Sequence, residues 1–568
     1  MRSLLRESMF GRVCRLVSRN KLFSYPEEED AETWKEKYCK PREQMTSEQN
    51  EQDDENQNAL SHSNSANSSR TQVDATGRHR SRDDTEKGRD GKLVTWYGDN
   101  DPENPQNWSL AKKCFVTFEI CVLTFSVYIG SSIYSSGIES VMQIFGVGQV
   151  AATLGLCLFV AGYGLGPMLW SPMSEIPQIG RNNVYIGTLA IFVALQAPTA
   201  RADNFGMLLA FRFLTGFFGS PVLATGGASL ADIWSPVKRT YAISIWGIAA
   251  VCGPVMGPLV GGFAVQSAPV KGGFTAPWTW PIWELMWLSG FCLVFLFFLF
   301  PETSANNILV RRTQRLRKAT GDDSITCEAE LMSKDMTGKD IALMTLVRPF
   351  TLNFTEPMVF FLNLYIALIY GLLYIWFESF VIVFIDIYGF SLGLEGLAYM
   401  GIFVGTIITI PPYFLYVYKY MEPQFNENGD MQPEKRLVPC FVGAFCIPIC
   451  LFIFGNTAKP DIHWIVPIIG SSFFSIGAFL LFNGILNYLP DAYPEYAASV
   501  LAGNDFMRSA FGAGFPLFAN AMFSRLGVDW ASSTLAFISL AFIPIPFVLY
   551  KYGATLRKNH SKHARKDI

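Results

Sequence analysis

A chain of 568 residues that is 50% hydrophobic, 14% aromatic and only 16% charged departs from ordinary soluble domains, in which roughly a quarter of residues carry charge. Its formal net charge of −3, from 45 Lys and Arg against 48 Asp and Glu, leaves no basic surplus for nucleic acid. Composition therefore excludes an ordinary soluble enzyme or nucleic-acid binder and points to an all-α integral membrane protein.

Residues 1–25, MRSLLRESMFGRVCRLVSRNKLFSY, set Arg against Leu, Phe and Val at helical spacing. This pattern fits a cytoplasmic helix lying on the anionic inner leaflet. A mitochondrial transit peptide is the rival, disfavoured by the acidic run at 27–30. Residues 45–92 are polar, poor in aromatics and aperiodic, and are expected to be disordered. No apolar h-region precedes the first span, so no cleaved signal peptide is expected.

From Cys114 onward, apolar runs are long enough to cross a hydrocarbon core of ~30 Å. Twelve are expected, at about 114–134, 150–171, 183–200, 205–230, 240–265, 282–300, 357–384, 396–417, 437–455, 464–486, 496–522 and 532–551. The chain thus divides into a largely disordered cytoplasmic region 1–113, six spans in 114–300, a basic cytoplasmic linker 301–356 with RRTQRLRK at 311–318, six spans in 357–551, and a cytoplasmic tail 552–568. Lys and Arg crowd the loops on the side of the termini, while the opposite loops hold only Arg201, Lys271, Lys459 and Arg525. Both termini are therefore expected to be cytoplasmic. Trp278, Trp280, Trp283 and Trp287 are expected as an aromatic belt at the outer interface. The sequons at Asn67, Asn107 and Asn353 fall on the inner side and are expected to carry no glycan.

The eleven cysteines form no CxxC pair and read as packed thiols, and no nucleotide-binding loop, zinc pattern or cofactor motif occurs. No cofactor or metal is expected, and transport has to run on an ion gradient. All five histidines lie outside the spans or at an edge, so a proton inside the membrane has to ride on a carboxylate. Ionisable side chains within spans are costly and so mark function. Arg212 in the fourth span either serves transport or ties helices together through carbonyls. Glu378 in the seventh either carries a proton or stands in a wet outer mouth. Asp505 and Arg508, three residues apart on the eleventh, either act in coupling or form an internal ion pair. Glu119 and Glu284, near span ends, read as solvated carboxylates.

The fifth span reads GIAAVCGPVMGPLVGG over 247–262. From Gly247 onward, Gly253, Gly257 and Gly261 recur every four residues and open a groove for a neighbouring helix, and Gly262 closes the run. Pro254 and Pro258 remove backbone donors on the adjoining face and permit a kink. The loop after the second span contains Glu175 and closes on Gly180 and Arg181, and Asp232 at the inner end of the fourth span is the natural partner of Arg181 by topology. One ion pair there suits a two-state gate.

With DPENPQNW at 101–108, SPMSE and GR within 171–181, RFLTGFFGSPVLATGGASLADI at 212–233, the Gly-Pro span, PET at 301–303 and AGNDFMRS at 502–509, the chain from about Val94 onward resembles the major facilitator superfamily. Within it, the similarity is to the fungal twelve-span drug:proton antiporters. The resemblance implies two pseudo-symmetric six-helix bundles rocking about a site at mid-membrane, in a monomer of the plasma membrane. It implies Arg212 in proton coupling, the Gly180-Arg181 loop in gating, and the Gly-Pro residues in exchange. The superfamily usually has Asp where this loop has Glu175, which leaves the partner of Arg181 open. Tyr128, Tyr365, Tyr370, Tyr374 and Phe474, with Asn363 and Asn483, are the residues expected to line the site and to suit small amphipathic drugs. Efflux of such drugs in exchange for protons is the expected function. An uptake permease or facilitator for a small organic solute, and a sensor without net flux, are the alternatives.

Overall fold

The computed structural model describes residues 2–41, 92–98, 100–268, 276–334, 343–426 and 430–566. The stretch expected to be disordered, 45–92, and the sequon at Asn67 lie outside the described residues, save for Lys92.

Helices begin where local chemistry satisfies their free amides. The Ser109 side chain accepts from Lys112 N ahead of Leu110–Ser132, and Asn204 accepts from Met207 N ahead of Phe205–Gly219. Proline opens Pro236–Ser267 and Pro357–Phe380, where its missing N–H costs nothing. Among the described residues, 11 helical stretches are long and apolar enough to cross a membrane. The last, Ser499–Asn559, runs 61 residues, far more than the ~20 one crossing requires. Gly527 divides it into an eleventh and a twelfth span, with φ 75° and ψ 164°, a backbone only glycine holds without strain.

The other spans, in order, are Gln149–Glu175 as the second, Arg181–Ala200 as the third, and Phe205–Gly219 with Pro221–Ile233 as the fourth. Pro236–Ser267 is the fifth, Trp280–Leu299 the sixth and Pro357–Phe380 the seventh. Met400–Tyr416, led in by Leu392–Ala398, is the eighth, followed by Val438–Thr457 and Ile465–Ala492. The first span lies along the fifth, the second along the fourth, the seventh along the eleventh and the ninth along the tenth. Contact between the halves runs where the second span meets the eleventh and where the fifth meets Leu392–Ala398.

Trp287, Phe291, Val294 and Phe298 recur at three- and four-residue steps on the sixth span and are exposed, the face hydrocarbon would cover. Trp278 is not part of that belt. It is buried, with its backbone and Cβ pressed against Gly137. Glu119 is not solvated either: it is fully buried, and neither carboxylate oxygen has a hydrogen-bond partner among the described residues. Asn353 is buried and bonded to Asn363 at 2.7 Å, a packing that leaves no room for a glycan.

Beyond the spans, the basic run at 311–318 belongs to a helix, Ala305–Thr320. Arg312, fully buried, donates to both oxygens of Asp101 at 2.8 and 2.9 Å, and Arg315 pairs with Glu27 at 2.5 Å. Tyr38, Val94, Leu316 and Ile325 form a small core there. The expectation of a largely disordered region before residue 114 therefore does not hold for 2–41, 92–98 and 100–107: acids on this segment neutralise the linker arginines and let the two pack. The tail is likewise held, with Glu356 accepting from Lys562 N at 3.1 Å and Arg557 donating to Glu434 at 2.8 Å.

Candidate functional site

Five spans, the first, fifth, seventh, tenth and eleventh, enclose a cavity of about 50 Å³ at the contact of the halves, walled by Tyr128, Trp246, Tyr370, Phe474, Phe479 and Phe482. Asn483 and Arg508 bring polar atoms to it. Its walls are pinned from behind: the Trp246 indole donates to Thr124 Oγ1 at 2.8 Å, and Ser244 donates to Asn483 Oδ1 at 2.8 Å across the halves. Gly247 leaves space, the nearest atom to a Cβ there being Asn483 Nδ2 at 3.9 Å.

Tyr128, Tyr370, Phe474 and Asn483 stand on this wall. Tyr374 lies beside it, donating to Ser131 Oγ at 2.8 Å. Asn363 and Tyr365 do not reach it, contrary to expectation. Tyr365 is five residues from Tyr370, about 140° round the helix, and its ring meets Phe542 at 5.5 Å. Asn363 shares the face of Tyr370 but sits about 10 Å nearer the terminal side, where it donates to Asn353 and accepts from Asn504 at 2.9 Å. Three residues not foreseen belong here, Trp246 and Phe482 on the wall and Tyr163 beside it. The Tyr163 hydroxyl is bonded to Tyr370 at 2.6 Å and Tyr374 at 2.9 Å. Its sequence signal is the pair Gly162 and Gly164, which bring the second span against Phe213 O and Ser509.

Arg508 pairs with Asp505 one turn away and donates to the Tyr128 hydroxyl at 3.0 Å, so an ion pair of the second half reaches the first. Asp505 Oδ2 has no partner among the described residues. Arg212 is fully buried without a carboxylate and donates to Gly155 O at 2.9 Å, Gly130 O at 3.0 Å and Ser131 O at 3.4 Å. It thereby ties the first and second spans together, stacked over Phe159 at 4.4 Å. Ser131 thus meets both groups, through its backbone carbonyl with Arg212 and through its hydroxyl with Tyr374, which in turn is bonded to Tyr163. Glu378 faces no open mouth: it is buried, accepting from Gln149 at 3.0 Å and Thr153 at 3.3 Å.

At the terminal side, Arg181 Nε donates to Asp232 Oδ2 at 2.8 Å. Glu175 makes no ion pair among the described residues; it is exposed and lines the same cleft as Arg181 and Asp232. Gly180 takes φ 75°, so the chain turns where a side chain would strike Glu302 and Asn307, and Glu302 accepts from Arg181 N at 3.0 Å. This loop borders a cleft of about 650 Å³ whose far wall includes Arg348, Tyr496 and Ala502.

The Gly-Pro groove receives the first span: a Cβ on Gly257 would meet Ile133 N at 2.7 Å, and Gly253 and Gly261 face Ile129 and Ile133. On the other side Gly262 abuts Leu392 O, and Pro258 O lies against Gly396. Gly253, Pro254, Gly257 and Pro258 are buried, so the span is wedged between its own half and the other.

The sequence pattern described as Major Facilitator Superfamily matches residues 120–516. The chain is 43% identical over 473 residues to Fluconazole resistance protein 1 of Saccharomyces cerevisiae, covering 82% of this chain and 84% of that one. It is 38% identical over 571 residues to the Cycloheximide resistance protein of Candida maltosa, covering 99% and 100%. In three dimensions it is similar to the proton:xylose symporter XylE, with a TM-score of 0.53 at 14% identity over 78% of this chain and 96% of that one.

Proposed function

This chain belongs to the major facilitator superfamily, a transporter and not an enzyme, and on that premise we propose that it exports small amphipathic toxic compounds across the plasma membrane in exchange for protons. The carrying observation is the aromatic cavity between the halves, closed by Arg508 on Tyr128. Flat rings there offer stacking area beside the polar atoms of Asn483 and Arg508, which suits amphipathic compounds. Relatives named for fluconazole and cycloheximide resistance support the substrate class.

In alternating access the halves rock about this site. Arg181 with Asp232 latches the terminal side of the first half, and Glu378 with Gln149 joins the halves on the other side. Glu378 and Asp505, both buried at the contact of the halves, are the proposed proton carriers, with Arg212 holding the first and second spans in register. The Lys and Arg bias of the loops supports both termini lying in the cytoplasm.

The test is drug movement in vesicles holding the purified full-length chain. An acid interior is expected to drive drug into inside-out vesicles, and a protonophore to stop it. Drug accumulation by intact cells that depends on the protein overturns export in favour of uptake.

A further inference from the structure

The helix Met9–Val17 and the linker helix Ala305–Thr320 border a polar cavity of about 480 Å³. Its acids are largely spent on partners outside it or on one another's bases. Glu28 binds Arg15 at 2.5 Å, Glu103 binds Arg315 at 3.0 Å, and Glu7 binds Lys112 at 2.6 Å. Glu302 Oε1 accepts three backbone N–H groups, those of Arg181, Thr303 and Ser304. Only its second oxygen remains, and Arg12 and Arg311 share it at 3.5 Å each. Lys318, exposed at the rim, has no ion pair among the described residues.

Cationic crowding is evident elsewhere in the same wall. The Tyr25 ring is faced by Arg315 at 3.7 Å, Arg6 at 4.3 Å and Arg15 at 4.8 Å. Burial, with Arg12 adding to it, pushes the Arg311 guanidinium down to about 10. The lining carries five bases against four acids, and Arg12 and Arg311 are left with one carboxylate oxygen between them.

The helix also fixes where an anion for this cavity comes from. Phe10 packs on Phe298 at 4.8 Å, at the end of the sixth span, while Val13, Leu16 and Val17 on the same helix are 46%, 81% and 76% exposed. One face of this helix therefore lies where hydrocarbon begins, and Arg12 and Arg15 turn the other way into the cavity. A lipid offers acyl chains to the first face and a phosphate to the second.

We propose that this cavity binds the phosphorylated headgroup of an anionic membrane lipid through Arg12, Arg311 and Lys318. The assignment rests on the cytoplasmic placement of the N-terminus proposed above. Binding in detergent reads the cavity alone, so a failure of that placement is detected separately, by labelling the termini in sealed vesicles.

The experiment follows thermal unfolding of the full-length protein in uncharged detergent with short-chain phosphatidylinositol bisphosphate. Controls are phosphatidylcholine of the same chain length, soluble inositol trisphosphate, and a phosphoserine peptide covering 61–70 of this chain. The bisphosphate lipid is expected to raise Tm saturably, by roughly a few degrees, with phosphatidylcholine inert and the soluble anions weaker by about tenfold. R311Q/K318Q is expected to weaken lipid binding by about tenfold or more. K318E, at the exposed rim, carries the same test if the double variant unfolds. V13S/L16S/V17S is expected to weaken the lipid but not inositol trisphosphate. Equal shifts with phosphatidylcholine, peptide or inositol trisphosphate binding as tight as lipid, or unchanged affinity in K318E and R311Q/K318Q each overturn the proposal.

Discussion

Glu378 on the seventh span accepts a hydrogen bond from Gln149 on the second at 3.0 Å, so a single carboxylate clasps the two halves at the end away from the termini. Its other oxygen accepts from Thr153 at 3.3 Å. A protonated carboxyl keeps one of these bonds at the expense of the other. Protonation therefore alters this seam, which links the charge on Glu378 to the contact of the halves. Glu378→Gln keeps an acceptor but cannot titrate. It is expected to lower proton-driven drug efflux from vesicles by tenfold or more, on the order of a lost proton-transfer group, and to flatten its dependence on external pH. Unchanged pH dependence in the variant rules Glu378 out as the carrier.

Arg212 presents a planar fork to three carbonyls of two spans. Lys supplies the charge but not the fork. Arg212→Lys is expected to cost about 1–3 kcal/mol through buried carbonyls left unpaired, seen as a lower Tm, and to depress transport while the protein still reaches the membrane. Arg212→Ala is expected to abolish export. Wild-type efflux in Arg212→Lys shows that charge alone suffices.

Gly257 and Gly247 lie on one span and make opposite predictions. A side chain on Gly257 meets Ile133 N and Ser132, so Gly257→Val is expected to destabilise by about 1–3 kcal/mol through overpacking and to stop transport. Gly247→Ala enters the open cavity, and its expected effect is a changed drug profile at unchanged Tm. Resistance profiles of cells carrying each variant, with Tm of the purified proteins, separate the two roles.

The docking of the N-terminal segment on the linker depends on pH. Burial pushes the Glu103 carboxyl up, but Arg315 and Arg312 outweigh it and hold the group below its ordinary 4.5. Burial likewise raises Glu28, and the hydrogen bonds from Arg15 and Tyr25 N bring it below 4.5. A carboxylate whose value is lowered by folding stabilises the folded form above its unfolded value and loses that contribution as pH falls through the lower one. Docking is therefore expected to be constant at neutral pH and to weaken only below about pH 4.5. Hydrogen exchange at Ile325 and Cys327, buried in the small core there, reports it. Loss of protection between neutral pH and 5 contradicts this assignment.

The sequence by itself determined the spans, because roughly twenty apolar residues in a row have no stable home but a membrane or a deep core. It also determined the register of glycines on the fifth span and the one-turn spacing of Asp505 and Arg508, both of which follow from helical period alone. Tertiary structure alone decided which side chains meet. A span is apolar on its lipid face and on its packed face, so its pattern carries no sign of which side turns inward; hence Tyr365 and Trp278 were misplaced while Trp246 and Tyr163 went unseen. Partners far apart along the chain are mostly silent: Arg312 finds Asp101 across 211 residues, whereas the pairing of Arg181 with Asp232 follows from the order of the spans, and the fold decides only that Asp232 and not Glu175 meets the guanidinium. Charges that read as a solvated tail and a basic linker were in fact two halves of one ion-pair network, and only the fold brought them within reach.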